Sequence, residues 1–266
     1  MLENPKSARV KSAAKLLKKR ARRERAEFLV EGPQAVKELL ENAPELTKEV
    51  FATHETLERH SELELLTARH NIELTLADSR VIAALSDTIN PQGVVAVAKT
   101  KVTDLNEALA QAKLVAVLVE VRDPGNAGTV LRAADAAGAD CVIFAGESID
   151  PWHPKVVRST TGSLFHLPLV TDVTLLEVLE ATKQAGITSL AADLQGRDLS
   201  PGDTVLRNPI AWIFGNEARG LSETDRGRCD DVLKLPIFGR AQSLNLATAA
   251  SVCLYTSAFA QRAAAQ

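Results

Sequence analysis

A chain of 266 residues with 45% apolar side chains and no low-complexity tract can bury one large core or two modest ones. Its three cysteines, Cys141, Cys229 and Cys253, form no CxxC pair, and none of its five histidines stands in an HxxxH pair. That count argues against a disulfide framework and against structural zinc, so no metal is expected. The N-terminus is basic without a following apolar segment, so no secretion signal is expected and the chain reads as cytoplasmic.

The net charge of −3 hides an asymmetry. Residues 1–25 hold ten Lys or Arg against two Glu, about +8, which leaves about −11 on the remainder. The basic set is Lys6, Arg9, Lys11, Lys15, Lys18, Lys19, Arg20, Arg22, Arg23 and Arg25. Such a run is either a solvated helix face or an arm for a polyanion. Leu16 and Leu17 alone are too few for a lipid-inserting face, so no membrane partner is expected. Rich in Ala, Leu, Lys and Arg, residues 4–24 are expected to form one helix.

A small α/β unit is expected next. FLVEG (28–32) reads as a strand entering a helix that has Pro33 in its first turn. EVFAT (49–53) is a second strand, followed by a helix over 55–70. IELTLA (72–77) is a third strand, SRVIAALSD a short helix, and GVVAVAK (93–99) the last strand. This alternation implies a mostly parallel sheet. Polar residues near 100 read as a linker and helix start. The boundaries are thus a basic arm at 1–26, a small domain at 27–99, a linker at 100–112 and a large domain at 113–266.

The large domain alternates again. Strands are expected at 114–121, 140–145, 166–170, 187–192, 210–214 and 232–235, with helices near 126–138, 174–185, 221–227 and 243–262. Residues 241–261 hold no charge, yet scattered Ser, Thr and Asn argue against a membrane span. A helix so uncharged is packed on several sides, within one subunit or against a partner's helix.

Three apolar runs each empty into a loop rich in Gly, Asn and Ser. LVAVLVEV (114–121) opens into RDPGNAGTVLRAADAAGAD, AWIF (211–214) into GNEARGLS, and VLKL (232–235) into PIFGRAQSLN. Loops of this kind at the carboxyl ends of parallel strands build one crevice, where open α/β sheets bind ligands. The first loop is neither GxGxxG nor a Walker A sequence, which disfavours a nicotinamide dehydrogenase. Asn126 and Arg132, six residues apart, stand about 240° round a helix from each other, so both reach one substrate only if Asn126 acts from the pre-helical turn. The plain structural alternative makes Asn126 an N-cap and Arg132 a surface cation.

In this order, the three segments resemble the SpoU (TrmH-type) family of RNA ribose methyltransferases, and 28–98 resembles the L30e-like substrate-binding domain often joined to it. The resemblance implies an α/β fold with a mostly parallel C-terminal sheet closed by a trefoil knot, 206–245 being the knotted portion. It implies transfer of a methyl group from S-adenosylmethionine to a ribose 2′-hydroxyl. By resemblance Arg132, Asn126, Glu217, Ser243 and Asn245 form the catalytic set. Gly215, Leu235, Ile237 and Leu244 hold the cofactor, and Ala191 and Ala192 line the same pocket. Two roles stay open for Arg132. Its guanidinium clamps an RNA phosphate, the role its permanent charge favours, or it assists loss of the hydroxyl proton, the role usually assigned in the family. Ribosomal RNA is the first expectation and transfer RNA the second. A homodimer paired through the last helix is implied as well. The rival of another class, a non-catalytic RNA-binding or assembly protein, is disfavoured by the full polar set.

Overall fold

The computed structural model describes residues 1–264. The chain divides into two compact units, Met1–Lys101 with Asp150–His166, and Val102–Ile149 with Leu167–Gln266.

The basic N-terminal stretch is not one helix. It forms α1 (Ala8–Ala14), a 3-10 turn (Lys15–Leu17) and α2 (Lys19–Arg25), with Ser7 capping α1 and Ala26 turning left-handed after α2. Nor is it a free arm. Val10, Ala13 and Leu16 are buried among Leu29, Phe51, Ile82 and Val97. Arg9 stands over the Phe51 ring and pairs with Glu49 and Glu73, at 2.6 and 2.7 Å. Every apolar residue of a short helix that finds a core overrides the pull of its charges toward water.

Next come β1 (Glu27–Glu31), α3 (Pro33–Asn42), β2 (Thr47–Ala52), α4 (His54–Arg59), α5 (Glu62–Arg69), β3 (Glu73–Leu76), α6 (Ser79–Leu85) and β4 (Val94–Lys99). The helix expected over 55–70 is broken at His60 and Ser61. The sheet order is β1-β4-β2-β3, and only β2–β3 is parallel. The expectation of a mostly parallel sheet fails here because β4 inserts between β1 and β2, antiparallel to both. Alternation along the chain does not specify insertion. The register sets Phe51 opposite Val95 and Leu29 opposite Val97, placing these four on the face that α1 covers.

After α7 (Leu105–Leu109) the second sheet begins: β5 (Leu114–Val119), α8 (Pro124–Ala137) and β6 (Cys141–Ala145). The chain then departs. Asp150–His166, including α9 (Pro154–Thr160), clusters with the first unit and so interrupts the large domain expected at 113–266. Trp152 and Phe165 both meet the Phe28 ring, at centroid distances of 6.4 Å. Asp150 pairs at 2.7 Å with Arg22, and both are nearly fully buried. Arg22 also donates to the carbonyls of Leu16 and Leu17, so its buried charge is fully engaged.

The second unit resumes with β7 (Leu169–Val173), α10 (Leu175–Gln184), β8 (Thr188–Asp198), β9 (Ile210–Phe214), α11 (Glu223–Arg228), β10 (Asp231–Lys234) and α12 (Leu246–Ala264). All five pairings in the order β10-β8-β9-β5-β6-β7 are parallel. Central β5 and β9 are buried along their whole length, which is why LVAVLV and IAWIF read as unbroken apolar runs. The strand order reverses direction between β5 and β9, the switch point at which such sheets bind ligands.

Helix α12 buries Ala247, Ala250, Cys253, Leu254, Ser257 and Ala258 and packs mainly on α8. Ser257 accepts the buried Trp212 indole N–H at 2.9 Å, so a polar residue in this apolar helix has a specific partner. Val252, Tyr255 and Phe259 stay exposed, Tyr255 donating its hydroxyl to the Ala136 carbonyl of α8 at 3.1 Å. No helix among the described residues is long and apolar enough to cross a membrane.

Candidate active site

At the carboxyl ends of β8, β9 and β10 lies a cleft of about 450 Å³. Its apolar wall comes from Leu233, Leu235, Ile237, Leu244 and Leu246, and its polar wall from Asp193, Gln195, Asn216, Glu217 and Arg226. The volume lies within the range of small-molecule sites, roughly 300–1,000 Å³.

The loop after β9 is tightly made. A Cβ added at Gly215 would stand 2.4 Å from the Gly220 carbonyl carbon and 2.6 Å from the Leu221 nitrogen, so only glycine lets the loop close on itself. Asn216 and Gly220 exchange backbone hydrogen bonds across it. The Asn216 side chain accepts from the Ala218 and Arg219 nitrogens and donates to the Glu120 carbonyl at 2.8 Å, fastening the loop to the end of β5.

Glu217 extends that fastening. Its carboxylate accepts the backbone N–H of Arg122 at 3.2 Å and of Asp123 at 3.0 Å, immediately before α8. It also accepts from the Asn126 side chain at 3.4 Å. Asn126 in turn accepts from Asn245 Nδ2 at 2.9 Å. Asn245 Oδ1 takes the Ala247 N–H at 2.9 Å and so caps α12. One hydrogen-bonded chain therefore ties together the three loops singled out in the sequence.

The candidate residues separate into groups. Asn126, Glu217 and Asn245 are joined directly, and Ser243 and Glu217 line the cleft. Gly215, Leu235, Ile237, Leu244 and Ala192 line it too. Ala191 does not. It is fully buried in the core under the sheet, because successive strand residues face opposite sides and only Ala192 turns toward the cleft. Asn126 is neither the N-cap nor pre-helical. Asp123 caps α8, its carboxylate accepting the Asn126 N–H at 2.7 Å, and Asn126 stands inside the first turn.

Arg132 is exposed on α8, outside the cleft lining, and among the described residues has no hydrogen bond or ion pair. About 240° round α8 from Asn126, it takes no part in the hydrogen-bonded chain to Glu217. Four residues of the polar wall escaped individual notice in the sequence: Asn216, Asp193, Gln195 and Arg226. Asn216 sits within GNEARG, directly before Glu217. Asp193 carries a subtler signal, a carboxylate directly after the apolar run LAA.

The thiol of Cys253, at the cleft's inner wall, is pushed up to about 12 by burial, and those of Cys141 and Cys229 likewise by burial and adjacent carboxylates. Burial thus disfavours the thiolate at all three.

Comparison with known proteins agrees with this architecture. Residues 113–255 match the SpoU rRNA Methylase family, and residues 7–96 an MRM3-like substrate binding domain. The chain is 33% identical to the 23S rRNA (guanosine(2553)-2′-O)-methyltransferase RlmP of Bacillus subtilis, covering 96% of this chain and 97% of that protein. It is 34% identical to a 23S rRNA (uridine(2479)-2′-O)-methyltransferase of Streptomyces viridochromogenes, covering 94% and 89%. Among solved structures, the SpoU methyltransferase AviRb of Streptomyces viridochromogenes in complex with AdoMet superposes with a TM-score of 0.85 at 30% identity, over 97% and 99% of the two chains. An AdoMet-bound rRNA methyltransferase of Sinorhizobium meliloti superposes with a TM-score of 0.83 at 28% identity, over 96% of each. By its sequence over nearly its whole length, this chain belongs to the SpoU rRNA methylase family.

Proposed function

We propose that this protein is an S-adenosylmethionine-dependent methyltransferase acting on a ribose 2′-hydroxyl of ribosomal RNA. The observation that carries the reading is the Glu217–Asn126–Asn245 chain, which draws three strand-end loops around one cleft. The cleft fits the donor: its apolar wall suits an adenine face, and Gly215 keeps the backbone accessible where a side chain would fill the space. When bound, the donor supplies an electrophilic sulfonium methyl group.

The residues have distinct tasks. Leu233, Leu235, Ile237 and Leu244 exclude water from the donor. Glu217 and Asn126 act by position, holding the loop after β9 against α8. Arg132, charged and without a hydrogen bond or ion pair among the described residues, clamps an RNA phosphate so that the hydroxyl meets the methyl group in line. The basic face of α1 and α2, with Lys11, Lys15, Lys18, Lys19 and Arg20 exposed, gives the first unit a surface for the RNA backbone.

The exposed Val252, Tyr255 and Phe259 of α12 support a homodimer formed through that helix, as the family resemblance implies. Knotting of 206–245 and a cytoplasmic site of action belong to the same reading. Calorimetry with S-adenosylmethionine in the absence of divalent ions tests the donor assignment. Binding with a 1:1 stoichiometry is expected, and no heat at millimolar donor overturns it. Mapping of 2′-O-methylation on ribosomal RNA incubated with the protein tests the acceptor.

A further inference from the structure

The cleft's polar wall carries an ion pair with no task in the reading above. Asp193 follows the apolar part of β8, and its side chain is 10% exposed. Arg226, on α11, reaches it from the other side with its side chain 23% exposed. Both line the cleft.

The pair is anchored yet loosely closed. Arg226 donates through one terminal nitrogen to the Leu221 carbonyl at 2.8 Å, and the same nitrogen stands 3.4 Å from Asp193 Oδ2. Asp193 Oδ1 accepts the Gln195 N–H at 3.0 Å. A separation of 3.4 Å is long for a charge-assisted bond, which is ordinarily 2.7–2.9 Å. Among the described residues, the other two guanidinium nitrogens of Arg226 have no hydrogen bond. Asp193 keeps lone pairs to offer as well. Two opposite charges, each anchored by a backbone contact and each with hydrogen-bonding capacity left, line one cavity.

We propose that Asp193 and Arg226 recognise the amino-acid end of the methyl donor, Asp193 taking the α-ammonium and Arg226 the α-carboxylate. This rests on the donor reading and adds the orientation of the donor within the cleft. The apolar wall offers the adenine a place but nothing for a zwitterion. A ribose diol calls for a carboxylate alone, whereas adjacent charges of both signs match a group carrying both. Partial burial strengthens each contact relative to one made in water.

The test is calorimetry on the full chain with three ligands: S-adenosylmethionine, its decarboxylated form and 5′-methylthioadenosine, which lacks the amino-acid end. Asp193→Asn is expected to weaken the first two by about tenfold or more and to leave 5′-methylthioadenosine unchanged. Arg226→Gln is expected to weaken S-adenosylmethionine by a similar factor and the decarboxylated donor much less. Unchanged affinity for 5′-methylthioadenosine also shows that the variants fold with the cleft intact. Equal losses for all three ligands overturn the proposal, placing the pair under the adenosine or in the scaffold. No loss for any ligand overturns it too. Failure of the unaltered protein to bind any of the three removes the donor reading itself, a result distinct from both.

Discussion

Asn245 Nδ2 donates to Asn126 Oδ1 at 2.9 Å, and the direction of that bond is forced. The oxygen of Asn245 is already taken by the first turn of α12, through the Ala247 N–H, so its amide nitrogen must face Asn126. Asn126 then accepts with its oxygen and has only its nitrogen left for the Glu217 carboxylate. Each amide has one orientation, and the order from α12 through α8 to the loop after β9 is fixed.

Asn126→Asp breaks this order at its centre. The new carboxylate loses the donor to Glu217 and sets two anions against each other. Methyl transfer is expected to fall at least a hundredfold, with donor affinity reduced because the loop after β9 loosens. Single-turnover rates and calorimetry check both. Wild-type values for the Asp variant would show that the chain of amides is not needed.

Arg132→Ala is expected to abolish methyl transfer while leaving donor affinity within about twofold, since the guanidinium lies outside the cleft lining. Arg132→Lys is expected to fail nearly as badly, because an ammonium cannot form the planar two-pronged contact to phosphate. Near-normal turnover of the Lys variant would count against the clamp.

The fold of the second unit was largely legible from its sequence, for a physical reason. A parallel strand buried on both faces leaves an unbroken apolar run, and the glycine-bearing loop after it marks its end, as at Phe214–Gly215. The first unit was less legible. Insertion of β4 between β1 and β2 leaves no local trace, because Val94–Val97 would read the same at any central position. The docking of α1 was hidden by ten cations that outnumber the buried Val10, Ala13 and Leu16. At the site, residue types were readable but facing was not. Ala191 and Ala192 look equivalent until strand alternation assigns one to the core and one to the cleft.

Arg22→Ala is expected to destabilise the protein by roughly 3–5 kcal/mol, because it leaves Asp150 buried without its cation. Asp150→Ala strands Arg22 in the same way. The double variant should cost less than the sum of the two, and chemical denaturation of all four proteins gives the coupling.

Glu27 sets part of the acid limit. Burial alone raises its carboxyl, but hydrogen bonds from Lys48 and Arg25 outweigh that and hold it below the usual carboxylate range. A depressed folded-state value gives stability that is complete above the unfolded value, about 4.3, and is lost as pH falls through the folded one. Glu27→Gln should therefore lower stability at neutral pH and flatten its decline on acidification. Thermal melts from pH 7 to pH 3 read this directly.

The cationic face is best tested by neutralisation. Removing residues 1–25 would uncover the core beneath Val10 and Leu16. Changing Lys11, Lys15, Lys18 and Lys19 to Gln keeps that core, and RNA binding should weaken with a shallower salt dependence. Each lost phosphate contact lowers the logarithmic slope by about 0.7–0.9. An unaltered slope would make the face merely solvated.

The chain leaves the first unit near Lys101 and returns to it for Asp150–His166 before departing again. The peptide backbone therefore crosses between the two units three times. During synthesis Arg22 must wait for the ribosome to deliver Asp150, more than a hundred residues later, before its charge is matched. Until then the first unit is an unfinished body, open to chaperones and proteases. A single nick in the stretch joining Lys101 to Leu114 would leave residues 1–101 held only by their packing against Asp150–His166, which stays on the other fragment.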